Sequence, residues 1–318
     1  MADEKSELPT ANNKTGDSLF YSGHTACAGC GMMIALRHVL NAAGSNTVIV
    51  NATSCSEITT SKYPRTAWGV PYIHVAFECT AAVAAGVEAA LKKQGKDANV
   101  ICIAGDGGTY DIGLQALSGM IERGHNVLYV CYDNECYANT GIQRSSATPY
   151  GAWTTTSPAG VAMAGNRTGK KPIAQIIAAH GAPYVATASV AWPADLEAKV
   201  KKALSIKGPK FILVHSPCPP AWKFDSNKSI EVARMAVECG AFVLCEIENV
   251  DGEQRLTISR EPGGRMVAEY LKAQGRFSHL KESDIAGIES RIKRDWEAWK
   301  SKSEHSGPHV SVAQQQKA

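Results

Sequence analysis

The chain has 318 residues, with 33 Lys and Arg against 30 Asp and Glu and a formal net charge of +3. Hydrophobic residues make up 44% and charged residues 20%, the balance of a folded globular protein, which excludes wholesale disorder. Positive charge is scattered among acids, so no basic track for nucleic acid exists. No run approaches the roughly 18 apolar residues that cross a bilayer. Neither nucleic acid nor a membrane is expected as a partner. Residues 1–7 are acidic and polar with no apolar stretch behind them, unlike a secretory leader, so the expected location is the cytoplasm. Ten cysteines held reduced there read as metal ligands or small buried side chains before they read as disulfides.

In chain order, residues 1–18 are polar and aperiodic and read as a loose arm. Residues 47–51 (TVIVN) form a strand, 80–93 a small-residue helix, 99–104 (NVICIA) a buried strand, 111–123 a helix closed by Gly124, and 126–132 a further strand. The alternation resumes with a helix at 171–180, a strand at 184–188, a helix at 194–206 and a strand at 210–215. Strands this continuously apolar, separated by helices, predict a doubly wound parallel α/β sheet over 19–225. Beyond it, a helix at 229–238, a hairpin at 242–248 and 255–259, and a charged helix at 283–303 predict a C-terminal extension and tail over 226–318. In such sheets ligands sit outside the carboxyl ends of the strands.

One such end carries Gly105, Asp106, Gly107 and Gly108 before the 111–123 helix. Glycines admit a phosphate close to the backbone, and a helix start offers free N–H groups. A carboxylate beside phosphate makes sense when a divalent cation lies between them. The next strand ends at Asp133, and Asn134 offers a second oxygen to Mg2+. The 30 residues from Gly105 to Asn134 are one strand end, a crossover helix and the next strand end, which puts both loops on one rim.

A second constellation is Cys27 and Cys30, spaced CxxC, with Cys55 after the TVIVN strand and Cys218 after the 210–215 strand. Gly29 and Gly31 are expected to leave room for a metal centre there. Four convergent thiolates suit a structural zinc or a 4Fe–4S cluster, and a redox pair is a third option. Spacing alone leaves all three open. Cys79, Cys102, Cys131, Cys239 and Cys245 read as buried apolar thiols. The long polar stretch from Tyr137 to Pro158 is expected to supply hydrogen-bond donors to a carboxylate or carbonyl.

The runs GHTACAGCG, NATSC, TAWGVPYIHVAFE, AGDGGTYDIGLQALSGMIERGHN, CYDNECYANTGIQRSSATPYG and TTTSPAG, followed by HGAPYVATAS, PCPPAW and CEIEN, resemble the beta subunits of the pyruvate:ferredoxin oxidoreductases. These are members of the 2-oxoacid:ferredoxin oxidoreductase family, and the resemblance covers most of 20–250. It implies a sheet of the thiamine-diphosphate-binding type. It further implies that Asp106, Asn134 and the Cys136 carbonyl hold Mg2+ and the diphosphate, that Asn139 faces the thiazolium and substrate, and that Cys27, Cys30, Cys55 and Cys218 bind a 4Fe–4S cluster. Asp133 stands where many thiamine-diphosphate enzymes carry an Asn.

The implied reaction converts pyruvate, coenzyme A and oxidised ferredoxin to acetyl-CoA, CO2 and reduced ferredoxin. Glu57 and Glu78 are acids in suggestive surroundings, but neither lies in a pyrimidine-binding motif, and no CxxCxxCxxxCP run is present. By resemblance those parts belong to an alpha (pyrimidine-binding) partner and to gamma and ferredoxin-like delta subunits, so the chain is expected to be inactive alone. Arg65, Arg144 and residues 145–148 are candidates for substrate, coenzyme A or interface contact. The alternatives are another 2-oxoacid (2-oxoisovalerate or oxalate), a zinc-stapled non-redox binding module, and a non-oxidative thiamine-diphosphate decarboxylase.

Overall fold

A computed structural model of the chain describes residues 18–160, 164–250 and 252–305. The arm expected over 1–18, save its last residue, and the tail after 305 lie outside the described residues. In chain order the elements are α1 (Gly31–Ala43), β1 (Thr47–Ala52), α2 (Cys55–Thr60), β2 (Tyr72–Val75), α3 (Thr80–Lys93), β3 (Asn99–Gly105), α4 (Leu114–Glu122) and β4 (Leu128–Asp133). Then follow α5 (Ile173–Ala179), β5 (Tyr184–Ser189), α6 (Pro193–Ser205), β6 (Lys210–His215), α7 (Pro219–Trp222) and α8 (Ser229–Glu238). The chain ends with β7 (Leu244–Val250), β8 (Glu253–Arg260), α9 (Val267–Lys272) and α10 (Glu282–His305).

The strands build one eight-stranded sheet in the order β2-β1-β3-β4-β6-β5-β7-β8. The first six run parallel, and β1, β4, β5 and β6 are buried along their whole length. That burial is why they read as unbroken apolar runs: both faces are covered. On one face α1 packs against α6, placing Met32, Leu36 and Leu40 with Leu196 and Val200 over Ile49, Ile101 and Ile212. On the other lie α3 and α4, whose Ala81, Ala84, Leu117 and Met120 meet Val50, Cys102 and Cys131. The expected doubly wound parallel sheet is what forms.

The C-terminal hairpin does more than append. β7 pairs antiparallel with β5, from Tyr184 opposite Glu248 to Ala186 opposite Glu246, and β8 pairs with β7, so the main sheet runs on through both. Two further departures matter for the site. The helix expected from residue 111 begins at Leu114, and Gly107–Asp111 form a π-helical turn ahead of it. The wide π turn has room because the two glycines carry no side chains to crowd it. Between the CxxC and β1, the residues at Met32, Leu36, Val39 and Leu40 set the helical period of α1.

Parallel strands put all their carboxyl ends on one rim. Cys55 follows β1, Asp106 follows β3, Asn134 follows β4 and Cys218 lies three residues beyond β6. Register fixes their depth, since Gly105 lies opposite Tyr132 and Asp133 opposite His215. Among the described residues no helix is long and apolar enough to cross a membrane.

Candidate active site

A cleft of about 170 Å3 opens on that rim, lined by Gly105, Asp106, Gly107, Gly108, Asn134, Cys136 and Asn139. All seven of the residues expected to hold the diphosphate, its cation and the substrate therefore share one wall. Thr53, Ser54, Ile58, Phe77, Tyr132 and Tyr137 are among the other residues that line it. A Cβ on Gly107 would collide with the Tyr137 ring, so only glycine lets the turn lie flat beneath that ring.

Asp106 is 1% exposed. Its Oδ2 accepts a 2.5 Å hydrogen bond from the Ser145 hydroxyl. Burial and then the neighbouring Asp133 push its carboxyl well above the ordinary range, against the pull of Ser145 and Lys170. The side-chain oxygen of Asn134 faces only acceptors: the terminal amide atom lies 2.8 Å from the Cys136 carbonyl and 2.9 Å from Asp106 Oδ1. Turned over, the amide would donate to both. With the oxygen inward, the spacing is that of neighbouring ligands on octahedral Mg2+, whose 2.0–2.1 Å bonds set adjacent oxygens about 2.9 Å apart. A divalent ion would also offset the cost of a buried, unpaired Asp106 carboxylate. The donor set fits the cation.

The loop is clamped from behind. Asp133, which is fully buried, takes Lys170 Nζ at 2.5 Å and the Tyr110 hydroxyl at 2.9 Å. A half-buried lysine and a tyrosine hydroxyl thus satisfy the Asp133 carboxylate. Burial still raises its carboxyl, with Lys170 opposing. Glu135 holds Lys170 at 2.9 Å and Arg276 at 2.6 Å. Burial alone would raise Glu135, but Lys170 and Arg276 bring it down to about 2. Its φ is 62°, left-handed and costly for a side-chain-bearing residue by about 1 kcal/mol or more. Across that kink Asn134 and Cys136 turn toward the same point. The Trp222 indole N–H donates to the Asn134 carbonyl at 2.8 Å, and burial depresses His215, beneath Trp222, to about 3.

A second cavity, of about 330 Å3, adjoins the cleft and shares Cys55, Asn134, Ala138 and Asn139 with it. Cys27, Cys30, Cys55 and Cys218 all line it. Burial raises Cys55 to about 12, with Cys218, Cys30, Asp106 and Cys27 adding repulsion; burial likewise lifts Cys218 to about 12. Among the described residues no three His, Cys, Asp or Glu side chains gather into a group fit for a single metal ion. Gly29 and Gly31 are also required by close backbone packing. At Gly29 (φ 69°) a Cβ would run into the Ser226 carbonyl, and at Gly31 it would lie 2.8 Å from the Pro217 backbone. Their bareness lets the CxxC turn pack against the Ser216–Pro217 backbone and the Ser226 carbonyl, beside the cavity that the four cysteines line.

Other residues fall elsewhere. Arg144 is engaged by Asn166 (3.3 Å) and Thr168 (2.7 Å) within its own loop, and Arg65 is exposed. Neither Glu57 nor Glu78 lines the cleft. The polar stretch after Tyr137 bonds inward, Ser145 to Asp106 and Thr148 to the Glu135 carbonyl at 2.7 Å. Cys102, Cys131, Cys239 and Cys245 are buried, whereas Cys79 sits half-exposed at the start of α3. Glu135, Lys170, Trp222 and Arg276 escaped the sequence reading. Glu135, inside CYDNECYANTG, and Trp222, inside PCPPAW, lay in motifs that could have flagged them.

A glycine–acid turn facing an Asn-bearing strand end, on the rim of a parallel sheet, defines a diphosphate-binding half of the thiamine-dependent class. The family described as "Thiamine pyrophosphate enzyme, C-terminal TPP binding domain" matches residues 49–214. The chain is 55% identical over 285 residues to pyruvate synthase subunit PorB of Methanocaldococcus jannaschii, covering 87% of this chain and 94% of the relative. Against PorB of Methanothermobacter thermautotrophicus it is 54% identical over 274 residues, 85% and 93% of the two. Against ketoisovalerate oxidoreductase subunit VorB of Pyrococcus furiosus the figure is 46% over 297 residues, 91% and 94% of the two. A 2-oxoglutarate:ferredoxin oxidoreductase from Magnetococcus marinus shares the fold at a TM-score of 0.57 and 20% identity, over 88% of this chain and 96% of that one. The chain belongs to the thiamine pyrophosphate enzymes and, within them, to the 2-oxoacid:ferredoxin oxidoreductase family, as a subunit of the pyruvate synthase type.

Proposed function

We propose that this chain is the subunit that holds thiamine diphosphate, Mg2+ and one 4Fe–4S cluster in an enzyme converting pyruvate, coenzyme A and oxidised ferredoxin to acetyl-CoA, CO2 and reduced ferredoxin. The observation that carries it is the meeting of the Asn134 amide with the Cys136 carbonyl and Asp106, at 2.8 and 2.9 Å, beside a cavity walled by four cysteines. Bound there, thiamine diphosphate supplies the carbanion chemistry that decarboxylates a 2-oxoacid, and the cluster supplies a one-electron acceptor. Asp106, Asn134 and the Cys136 carbonyl hold the cation, and Gly105 to Gly108 let the backbone approach the diphosphate. Asn139, on the wall between the two cavities, positions the substrate. Ile58, Phe77 and Tyr132 keep water from the reacting centre.

Zinc is the weaker occupant of the cysteine cavity. A tetrahedral zinc with 2.3 Å bonds would draw its thiolates to about 3.8 Å of each other. A cluster spreads its four ligands over a wider cage, and its positive iron supplies the charge that raised, buried thiols need to ionise.

Asp106 is the one acid among the described residues lining the cleft, and it is committed to the cation. The carboxylate that activates the aminopyrimidine ring therefore comes from the alpha partner, with gamma and delta subunits carrying electrons onward. The decisive experiment is Asp106→Ala in the co-purified complex. Thiamine diphosphate and Mg2+ should no longer be retained while iron stays at its wild-type level; unaltered retention defeats the assignment.

A further inference from the structure

Arg276 lies outside the span matched by the family, in a short turn after α9, yet it is 2% exposed and reaches back 141 residues in sequence to Glu135. We infer that Arg276 is a positioning residue for the cation loop, acting on both sides of it at once. One arm is the 2.6 Å ion pair to Glu135, whose left-handed backbone sets Asn134 and Cys136 toward a common point. The other is the Trp222 ring: the guanidinium stacks 3.8 Å from its centroid, and that indole donates to the Asn134 carbonyl.

Arg276 is itself fixed. Its Nε donates to Gln274 at 3.0 Å, its carbonyl accepts from the Trp153 N–H at 2.9 Å, and Gly275 N–H donates to the Lys223 carbonyl at 3.0 Å. A planar, permanently charged fork is the side chain that can stack on an indole and bind a carboxylate together. Groups that orient first ligands without touching the metal commonly govern its affinity by about 10- to 100-fold. Cys218 is the N-cap of α7 and Trp222 its last residue, so the same device ties the cysteine cavity to the cation loop.

This inference rests on the cation assignment above, and its test separates the two. The co-purified complex is stripped of metal, and retained thiamine diphosphate is measured by equilibrium dialysis as Mg2+ is added. Arg276→Gln should raise the Mg2+ concentration for half-retention about 10- to 100-fold, with iron content unchanged and retention at saturating Mg2+ recovered. Arg276→Lys should rescue part of the shift, because charge returns without the stack. Trp222→Phe keeps the packing but removes the N–H donor, and should give a smaller shift in the same direction; it carries the test if Arg276→Gln fails to fold. An unchanged Mg2+ requirement in a folded Arg276→Gln or in Trp222→Phe overturns the inference, as does loss of iron in step with cofactor. If Asp106→Ala also leaves retention intact, the cation assignment itself has failed.

Discussion

Gly107 is the most direct test of the cradle. A methyl added there meets the Tyr137 ring well inside contact distance. The ring is not free to yield, because its hydroxyl donates to Asp111 at 2.9 Å and its edge packs on Phe77 with centroids 6.0 Å apart. Overpacking costs about 1–3 kcal/mol, and breaking a hydrogen bond to a carboxylate about 1.5–3 kcal/mol. The cheaper relief is about 2 kcal/mol, with the ring swinging into the cleft that it lines. Taken from binding, that is roughly a thirty-fold loss of affinity. Dissociation constants for thiamine diphosphate at saturating Mg2+ would be compared for wild type, Gly107→Ala, Tyr137→Ala and the double variant. The glycine change should be nearly silent once Tyr137 is gone, a coupling of about 2 kcal/mol. An equal penalty in both backgrounds refutes the steric account.

Cys55→Ala in the complex should remove about four irons per copy of this chain and suppress reduction of ferredoxin or viologen; wild-type iron and reduction would defeat the cluster assignment. The isolated chain should show no turnover, and measurable acetyl-CoA formation by it would contradict the need for an alpha partner. Burial, aided by Lys207, lowers Lys210 to about 8 from its ordinary 10.5. The unfolded chain therefore holds a proton that the folded one releases between pH 8 and 10.5, so stability climbs with pH across that window, and below it the charged form costs about 3 kcal/mol. Lys210→Met loses the bond to Asn126 (2.6 Å), worth about 1 kcal/mol, yet should melt higher than wild type at pH 7, with the gap narrowing by pH 9.5. A gap equal at both pH values would falsify the burial argument.

The rim was readable because its chemistry is written locally. Gly105-Asp106-Gly107 and Tyr132-Asp133-Asn134 are strand ends one crossover apart, and parallel pairing turns that spacing into adjacency. Cys30, Cys55 and Cys218 were readable for the same reason, each lying at a helix start, and Cys27 through its CxxC spacing to Cys30. The clamp was not. Glu135 and Arg276 are 141 residues apart, and nothing near either announces the other, since tertiary packing alone makes them neighbours. β2 escaped because it is four residues long and two of them are exposed, too short and too open for an apolar signature. α1 was legible in the period of Met32, Leu36, Val39 and Leu40, but the CxxC beside it drew the reading to chemistry. That the hairpin joins β5 could not be read from its residues, because any open antiparallel edge would have served them.

The way the sheet ends has its own consequence. A long bare strand edge is a template for unwanted pairing with another chain. Here one margin is β2, with only four residues. The opposite margin is β8, which displays Glu253, Gln254, Arg255 and Arg260 and is braced by α10, where the Ser303 hydroxyl donates to the Leu256 carbonyl at 3.1 Å. A protein that belongs to a larger oxidoreductase has to persist until its partners arrive. By keeping one border short and the other charged and covered, the fold guards against aggregation during that wait.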